Sequence, residues 1–329
     1  MSEGWPIVSS VLGTFLIIAI GAICRWAGWL TPAADTTLAK LTANVMLPAY
    51  FFAHFTATDG LDSLSTVWLP PTVGFVLTTI GFLVAVALAW GVGPWFGLDT
   101  DAKRRAFALC VGVANYGYIP LPLAERFYPE ALTDLILHNV GVDLSLWSLG
   151  IAIIAGGAGG SVLRAILSAP MLAVLAAIAV RQTGTQIYIP SSVATAIDSL
   201  GDCAIPLGLL LSGAIIVDFI RTSSGGGGRR VIAAAIVVRQ ILLPIIMLTA
   251  ATGLNRYAIG STPSAMHNLQ IVLMLQSAMP AAVFPIVLVR LYGQDTQTGL
   301  RVVLWTSVVS IVTIPLWIAI ATRWLGIAT

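Results

Sequence analysis

Charged side chains are scarce in this chain of 329 residues. Lys, Arg, Asp and Glu together make up 9% of the sequence, whereas soluble domains contain about 25%. Hydrophobic residues make up 58%, and the mean hydropathy is +0.95. A net charge of +2 leaves no basic patch for nucleic acid. These values exclude a soluble enzyme, a disordered chain and a nucleic-acid-binding protein, and they predict a protein that resides in a lipid bilayer.

Sequence signals for catalysis and metal binding are also missing. The three cysteines, Cys24, Cys110 and Cys203, lie in apolar runs without a CxxC spacing, so we expect them to be small buried hydrophobic residues. The three histidines are far apart in sequence and show no metal-ligand spacing. No HExxH motif and no Ser-His-Asp order occurs. We therefore expect no enzymatic activity, no metal site and no resident cofactor.

Long apolar segments account for most of the chain. A helix needs about 20 mostly apolar residues to cross a bilayer. Ten segments meet this requirement, at residues 8–29, 41–58, 69–92, 106–123, 135–154, 162–180, 194–220, 231–253, 269–292 and 302–325. The connections between them are too short for a large soluble domain. The sequence therefore predicts an all-α, multi-pass membrane protein with ten transmembrane helices.

The distribution of the sixteen Lys and Arg residues predicts the orientation. With the N-terminus outside, eleven bases lie on the inner side, four lie on the outer side, and Arg239 lies within a segment. The strongest basic clusters, residues 103–105 and 229–230, both fall inside only if ten segments cross and both termini are outside. The loop at residues 59–65 has acids and no base, as an outer loop can. We expect a bacterial inner-membrane protein with both termini outside.

Ten segments divide into two halves of five, at residues 1–155 and 160–329. Because five is odd, the second half must enter the membrane inverted, which is typical of transporters built from inverted repeats. Weak internal similarity supports the division, since residues 46–49 and 204–207 carry a proline at the same place. The Gly-rich stretch 223–228 lacks the Gly-Lys-Ser/Thr of a phosphate-binding loop, so we interpret it as a linker.

Prolines interrupt the fourth and the ninth segment. The fourth carries Gly117, Pro120 and Pro122, and the ninth carries Pro280 and Pro285. Proline removes a helical hydrogen bond, and a broken helix at membrane depth must face protein or a polar cavity. Broken helices at corresponding positions of two repeats predict a binding site near the middle of the membrane. The alternative is a simple proline kink in each helix.

Five segments carry short motifs in a characteristic order. They are Asn115, Gly117, Tyr118, Ile119, Pro122 and Leu123 in the fourth, Gly141, Trp147, Leu149 and Gly150 in the fifth, 203–207 with 212–213 in the seventh, 277–283 in the ninth and 306–316 in the tenth. Together they resemble the auxin efflux carrier family, the bacterial relatives of plant PIN-type carriers, over nearly the whole chain. The chain departs from the family pattern at Pro120, at Phe284, and at Asn139 and Asp143, where acid and amide are exchanged.

The resemblance implies ten helices in two inverted repeats, with helices 4 and 9 broken where they cross. Segments 1, 2, 6 and 7 would form a scaffold, through which family members often dimerise, and segments 3–5 and 8–10 a transport domain. Family substrates are mostly organic anions, such as auxin, malonate and other carboxylates, and the partial positive charge of half-helix N-termini suits an anion. We expect the substrate to bind at Asn115, Gly117, Tyr118, Pro122, Gln276, Ser277 and Pro280.

Two charged residues, Asp143 and Arg239, lie deep in the predicted transport domain, where a charge costs about 2.5–3.5 kcal/mol. One interpretation makes Asp143, with Asn139 one turn away on nearly the same face, a coupling-ion or proton site. Arg239 is then a counter-charge to Asp143 or to a substrate carboxylate. The alternatives are a hydrogen-bonded structural carboxylate and an arginine that snorkels to the interface. Asp198 and Asp202, near the outer end of the seventh segment, are interpreted as solvated.

The sequence as a whole predicts a secondary carrier that moves a small organic anion across a bilayer by alternating access. H+ or Na+ is the coupling ion considered, and a homodimer through the scaffold is implied by the resemblance. The nearest alternative is an ion-coupled symporter or antiporter, similar to the bile acid/sodium symporter or cation/proton antiporter groups. Those groups carry more acidic and polar residues around the crossing. A channel and an intramembrane enzyme are the remaining alternatives.

Overall fold

The computed structural model describes residues 4–57, 68–156, 169–222, 228–257 and 263–327. Within these ranges the chain forms helices and no β-strand, so the expected all-α class is confirmed. The α-helices are α1 Gly4–Trp26, α2 Pro32–Leu41, α3 Leu47–Ala57, α4 Leu69–Gly91, α5 Asp101–Gly112, α6 Pro120–Phe127, α7 Leu132–Ser145, α8 Ile151–Ala155, α9 Ala169–Gln182, α10 Ser191–Asp202, α11 Ala204–Thr222, α12 Arg229–Val237, α13 Leu243–Tyr257, α14 Pro263–Ala278, α15 Pro285–Leu291 and α16 Thr296–Leu325.

Five helical stretches are long and apolar enough to cross a membrane. They are Leu69–Gly91, Pro129–Ala155, Ser191–Asp218, Arg229–Leu254 and Thr296–Leu325. They coincide with the predicted third, fifth, seventh, eighth and tenth segments. Two shorter apolar helices, Phe15–Trp26 and Ala169–Gln182, lie in the first and sixth. Residues 59–65, residues 223–227 and the beginning of the sixth segment lie outside the described ranges, and the count of ten spans stays a prediction.

Two helices are interrupted where the prolines stand. The first interruption, residues 113–119, separates α5 from α6, and α6 begins at Pro120. The second interruption, residues 279–284, separates α14 from α15, and α15 begins at Pro285. Proline is accepted at the start of a helix because the first turn has no acceptor for its missing N–H. Pro120 and Pro285 therefore begin the second part of each broken helix.

Local features differ from the sequence prediction in two places. Residues 32–41, which the apolar pattern leaves between the first and second segments, form helix α2. This helix is held by Arg25, which is 3% exposed and pairs with Asp35 of α2 and Asp218 of α11. Cys203 is exposed, contrary to expectation, because it stands at the junction of α10 and α11.

Two groups of helices show the closest packing. In one, α1 packs against α11, and α3 packs against α9 and α10. In the other, α4 packs against α5 and α7, and α14 packs against α13 and α16. Glycines permit these approaches: a Cβ at Gly213 of α11 would meet the backbone of Ile18 in α1, and one at Gly141 of α7 would meet Pro71 in α4.

The two interruptions lie between two hydrophobic clusters. One cluster contains the first turns of α7 and much of α14, and the other contains the end of α7, most of α5 and the first part of α16. Ala114 belongs to the first cluster and Val113 to the second, and Met279 and Ala281 divide in the same way. The chain therefore passes from one cluster to the other at the interruptions.

Candidate functional site

The two interruptions pair with each other. Asn115 N donates to Pro280 O at 2.7 Å, and Ala282 N donates to Val113 O at 3.1 Å, which makes a short antiparallel bridge. The residues that form this bridge are buried, so their backbone groups have no water to bind and must find partners in the protein. The pairing supplies such partners and joins the predicted fourth and ninth segments at their breaks.

The carbonyls that face a proline are satisfied by buried side chains. In a helix the carbonyl of residue i accepts the N–H of residue i+4, and a proline at i+4 leaves that acceptor free. Tyr116 O, in the first interruption and four residues before Pro120, accepts Gln276 Nε2 at 3.2 Å. Gln276 O, four residues before Pro280, accepts Arg239 Nη2 at 3.4 Å beside the backbone N–H of Met279 at 3.3 Å. Gln276 therefore donates from its side-chain amide to the first interruption, and its backbone carbonyl accepts a hydrogen bond from Arg239.

Arg239 is the largest fully buried side chain of the described chain, with an exposed fraction of 0%. Its Nε donates to Met279 O at 3.0 Å, beside the contact to Gln276 O. Both carbonyls lie at the C-terminal end of α14, where the helix dipole favours a positive charge. Its Nη1 is buried and has no hydrogen-bond partner among the described residues. Arg239 neither snorkels to an interface nor forms a salt bridge with Asp143 or another acid described by the structure.

Asp143 and Asn139 reach the crossing through two neighbours. Tyr116 donates its hydroxyl to Asp143 Oδ1 at 2.6 Å, and Gln276 Nε2 donates to Asn139 Oδ1 at 3.0 Å. Asn139 and Asp143 are four residues apart on α7, so they share a face of that helix. The structure thus brings both predicted residues to the site, with Tyr116 between Asp143 and the first interruption. The predicted contact of Asp143 with Arg239 is not formed.

The remaining predicted site residues differ in their burial and in whether their side chains are hydrogen-bonded. The Asn115 side chain, 7% exposed, makes no hydrogen bond to any residue that the structure describes. A Cβ built at Gly117 would have no atom within 4 Å, so the space beside Gly117 is open. Ser277 donates its hydroxyl to Met274 O at 2.7 Å within its own helix. Pro122 is half-buried in α6.

Tyr118 contacts α11. Its ring lies directly against Gly208, where a Cβ would overlap the ring atoms. Gly208 belongs to the helix group of α1 and α11, whereas Tyr118 belongs to the first interruption. The Tyr118 side chain therefore connects the first interruption to the helix group that contains α1 and α11.

A second buried network, around Gln240, is absent from the sequence prediction. Gln240 Nε2 donates to Thr306 O at 3.0 Å, and Gln240 Oε1 accepts Thr313 Oγ1 at 3.0 Å. Thr306 Oγ1 accepts Ala281 N at 3.2 Å, which links the network to the second interruption. Gln240 O accepts Trp317 Nε1 at 2.7 Å.

A sequence signal for this network exists. Pro244 stands four residues after Gln240, and a proline at that spacing leaves the Gln240 carbonyl without its helical donor. Arg239 and Gln240 lie in a π-helical turn, Val238–Leu242, and such turns occur frequently at functional sites. Two adjacent polar residues in an apolar segment, followed by a proline, therefore mark the position.

Comparisons with known proteins point to membrane transport. A family model described as "Membrane transport protein" matches residues 6–161 and 158–318. A protein of Methanothermobacter thermautotrophicus, described as an uncharacterized transporter, is 26% identical over 314 residues. This alignment covers 94% of the chain and 96% of that protein.

Proposed function

The chain belongs to the membrane transport protein family, and on that basis we propose that it is a secondary carrier for a small organic anion. The substrate class is a carboxylate or an auxin-like weak acid, moved by alternating access. Family membership and the apolar helices make the chain an integral membrane protein with a role in transport. The substrate class rests on the chemistry of the paired interruptions.

The observation that carries the proposal is a buried guanidinium beside two interrupted helices. Arg239 brings a positive charge to the second interruption, and no acid in the described chain neutralises it. A buried charge without a counter-ion is costly, so an anion that reaches it gains the interaction that the protein leaves open. The unbonded amide of Asn115 and the open space beside Gly117 supply a polar contact and room for the ligand.

The proposed architecture has ten spans in two inverted repeats, residues 1–155 and 160–329. The scaffold would comprise segments 1, 2, 6 and 7, and the transport domain segments 3–5 and 8–10. The two helix groups with the closest packing support this division. We place the protein in a bacterial inner membrane with both termini outside, and we propose that two copies associate through the scaffold.

For the coupling ion we propose H+ or Na+ at Asp143. This carboxylate is half-buried on α7, and one of its oxygens is already held by Tyr116. Because Tyr116 is also part of the first interruption, a change in the charge of Asp143 would act on the site through one hydrogen bond. No other resident cofactor is proposed.

A ligand screen tests the function. Purified protein is heated in detergent with malonate, other carboxylates and indole acids, each with sodium or with potassium and at several pH values. We expect at least one acid to raise the melting temperature, because a ligand that binds only the folded protein stabilises it. The shift should disappear in Asn115→Ala and persist in Asn44→Ala, since Asn44 is exposed and bonds only within its own helix.

The same screen identifies the coupling ion. If the shift requires sodium or acid pH, Asp143→Asn should remove that requirement. A screen in which no acid stabilises the protein contradicts the proposed substrate class. Steady ionic conductance of the purified protein in planar bilayers contradicts the carrier and favours a channel.

A further inference from the structure

A cavity of about 310 Å³ lies apart from the paired interruptions. Its walls are helix α3, helix α10 and the C-terminal turn of α6. Its polar lining consists of Tyr50, His54, Glu125, Asp198 and Asp202. Two of these residues are on α3 and two on α10, which belong to one helix group, whereas Glu125 is on the half-helix that follows the first interruption. The cavity therefore separates parts of the molecule that the proposed carrier moves relative to each other.

The cavity has a large excess of negative charge. Glu125, Asp198 and Asp202 all line it, and none of them forms a salt bridge with a base in the described chain. Glu125 and Asp202 lie close enough to Tyr50 and His54 for their charges to act on both side chains. All three residues are exposed, so water reaches their carboxylates, and together they give the cavity a negative potential that attracts a cation.

The neighbouring bases do not fill this space. Arg126 follows Glu125 in sequence, but its guanidinium lies over the Phe127 ring, 5.6 Å from the ring centre. Arg181 donates to Thr56 O at 3.4 Å and is not part of the cavity lining. Neither of these two bases therefore neutralises the negative charge of the cavity.

Tyr50 gives an independent sign of a ligand. The side chain lines the cavity and is 5% exposed, and its hydroxyl is buried with no hydrogen-bond partner among the described residues. Buried hydroxyls nearly always have a partner, since an unmade hydrogen bond costs free energy. A ligand that carries N–H groups would complete this hydroxyl and the carboxylates together.

The rings of Tyr50 and His54 favour an organic cation. Their centroids are 4.9 Å apart with an angle of 31° between the planes. An aromatic face attracts a cation through its quadrupole. Within the described part of the chain, no group of three or more potential ligands has the geometry to hold a metal ion. The volume also greatly exceeds that of a bare sodium ion.

From this arrangement we propose that the cavity binds a small organic ammonium ion with N–H donors. The ammonium group donates to the carboxylates of Glu125 and Asp202 and to the hydroxyl of Tyr50, and its alkyl part lies against the ring pair. Because Glu125 and Asp202 come from different helix groups, the bound cation bridges them. This inference goes beyond the proposed anion site, and it does not depend on which anion is carried.

A thermal-shift experiment on the full-length protein in detergent tests the proposal. The probe is ethanolammonium chloride, compared at equal ionic strength and pH 7 with tetramethylammonium chloride, which lacks N–H donors, and with sodium chloride. We expect ethanolammonium to raise the melting temperature by at least about 2 °C more than either comparison salt. The extra shift should be lost in Glu125→Gln and in Asp202→Asn.

Two further variants separate ligand binding from folding. Glu130→Gln changes an exposed carboxylate outside the cavity and should retain the full ethanolammonium shift. Tyr50→Phe removes only the hydroxyl, so it should weaken the shift while the protein without ligand folds normally. Equal shifts with all three salts would overturn the proposal. A shift with sodium alone would also overturn it, in favour of an inorganic cation, and neither result bears on the carboxylate screen.

Discussion

At the scale of single residues, prolines create acceptors that other side chains must satisfy. Pro120, Pro244 and Pro280 each stand four residues after a carbonyl and bring no N–H that could bind it. The structure supplies three different donors: the Gln276 amide, the Trp317 indole and the Arg239 guanidinium. All three donors are buried. The broken helices therefore persist in an apolar interior because each freed carbonyl has a specific polar partner.

This account makes a prediction for Arg239. We expect Arg239→Ala to lower the free energy of unfolding by about 2–4 kcal/mol, because it leaves a void and removes the side-chain donor from Met279 O and from Gln276 O, of which only Gln276 O keeps a backbone donor. Melting temperature in detergent measures the effect. Arg290→Ala, at an exposed position, should change stability by no more than about 0.5 kcal/mol.

The lysine variant separates charge from geometry. Arg239→Lys keeps the positive charge but lacks the planar guanidinium that reaches both carbonyls. Its free energy of unfolding should therefore lie between those of the parent and Arg239→Ala. If Arg239→Ala is as stable as the parent, the guanidinium does not support the second interruption, and its burial needs a different explanation.

At the scale of helices, the first interruption is positioned by its contact with α11. The Tyr118 ring occupies the space over Gly208 that any other residue type would fill. This contact connects the pair of interruptions to the other helix group. A side chain at position 208 must therefore displace Tyr118, and with it the backbone near Asn115 and Gly117.

Gly208→Ala tests this contact. We expect it to destabilise the protein by about 1–3 kcal/mol through overpacking, although alanine normally favours a helix. The double variant Gly208→Ala with Tyr118→Ala should be more stable than the sum of the single effects predicts, since the clash is gone. Gly13→Ala is the matched control: no atom lies within 4 Å of its Cβ position, so it should gain about 0.5–1 kcal/mol. Additive effects of the two substitutions would show that the ring and position 208 do not interact.

At the scale of the whole molecule, the two strongest basic clusters lie at the same end. Arg230 Nη1 donates to Trp95 O at 3.5 Å, and Gly97 packs near Val231. The loop at residues 93–100 leads directly into residues 103–105, so both clusters face one side. The positive-inside rule predicts that this side faces the cytoplasm.

A topology experiment checks this orientation. Alkaline phosphatase fused after Thr329 should be active in bacterial cells, because this enzyme folds only outside the inner membrane. The same reporter fused after Asp99 should be inactive, and a fluorescent protein at each place should give the opposite result. An active fusion after Asp99 would reverse the orientation and place both termini inside.

Much of the architecture follows from local patterns in the sequence. The apolar segments coincide with the long helices α4 and α16, and the prolines stand where α6 and α15 begin. Asn139 and Gln276, which the sequence assigned to separate roles, contact each other at the crossing. The hydrogen-bond network of Gln240 was not predicted, because the partners of its side chain, Thr306 and Thr313, lie in a helix that is distant in sequence. The ion pairs of Arg25 also depend on helices that approach it only after folding.

The sequence by itself determined that this protein resides in a lipid bilayer, which family it belongs to and where two of its helices break. These properties depend on composition and on the missing N–H of proline, which act locally. Only the tertiary structure decided which donor meets each freed carbonyl, because Gln276 is 160 residues from Tyr116 and Trp317 is 77 residues from Gln240. It also brought Tyr50, Glu125 and Asp202 to one cavity. Pairing across such separations is set by how the helices pack, which no single segment specifies.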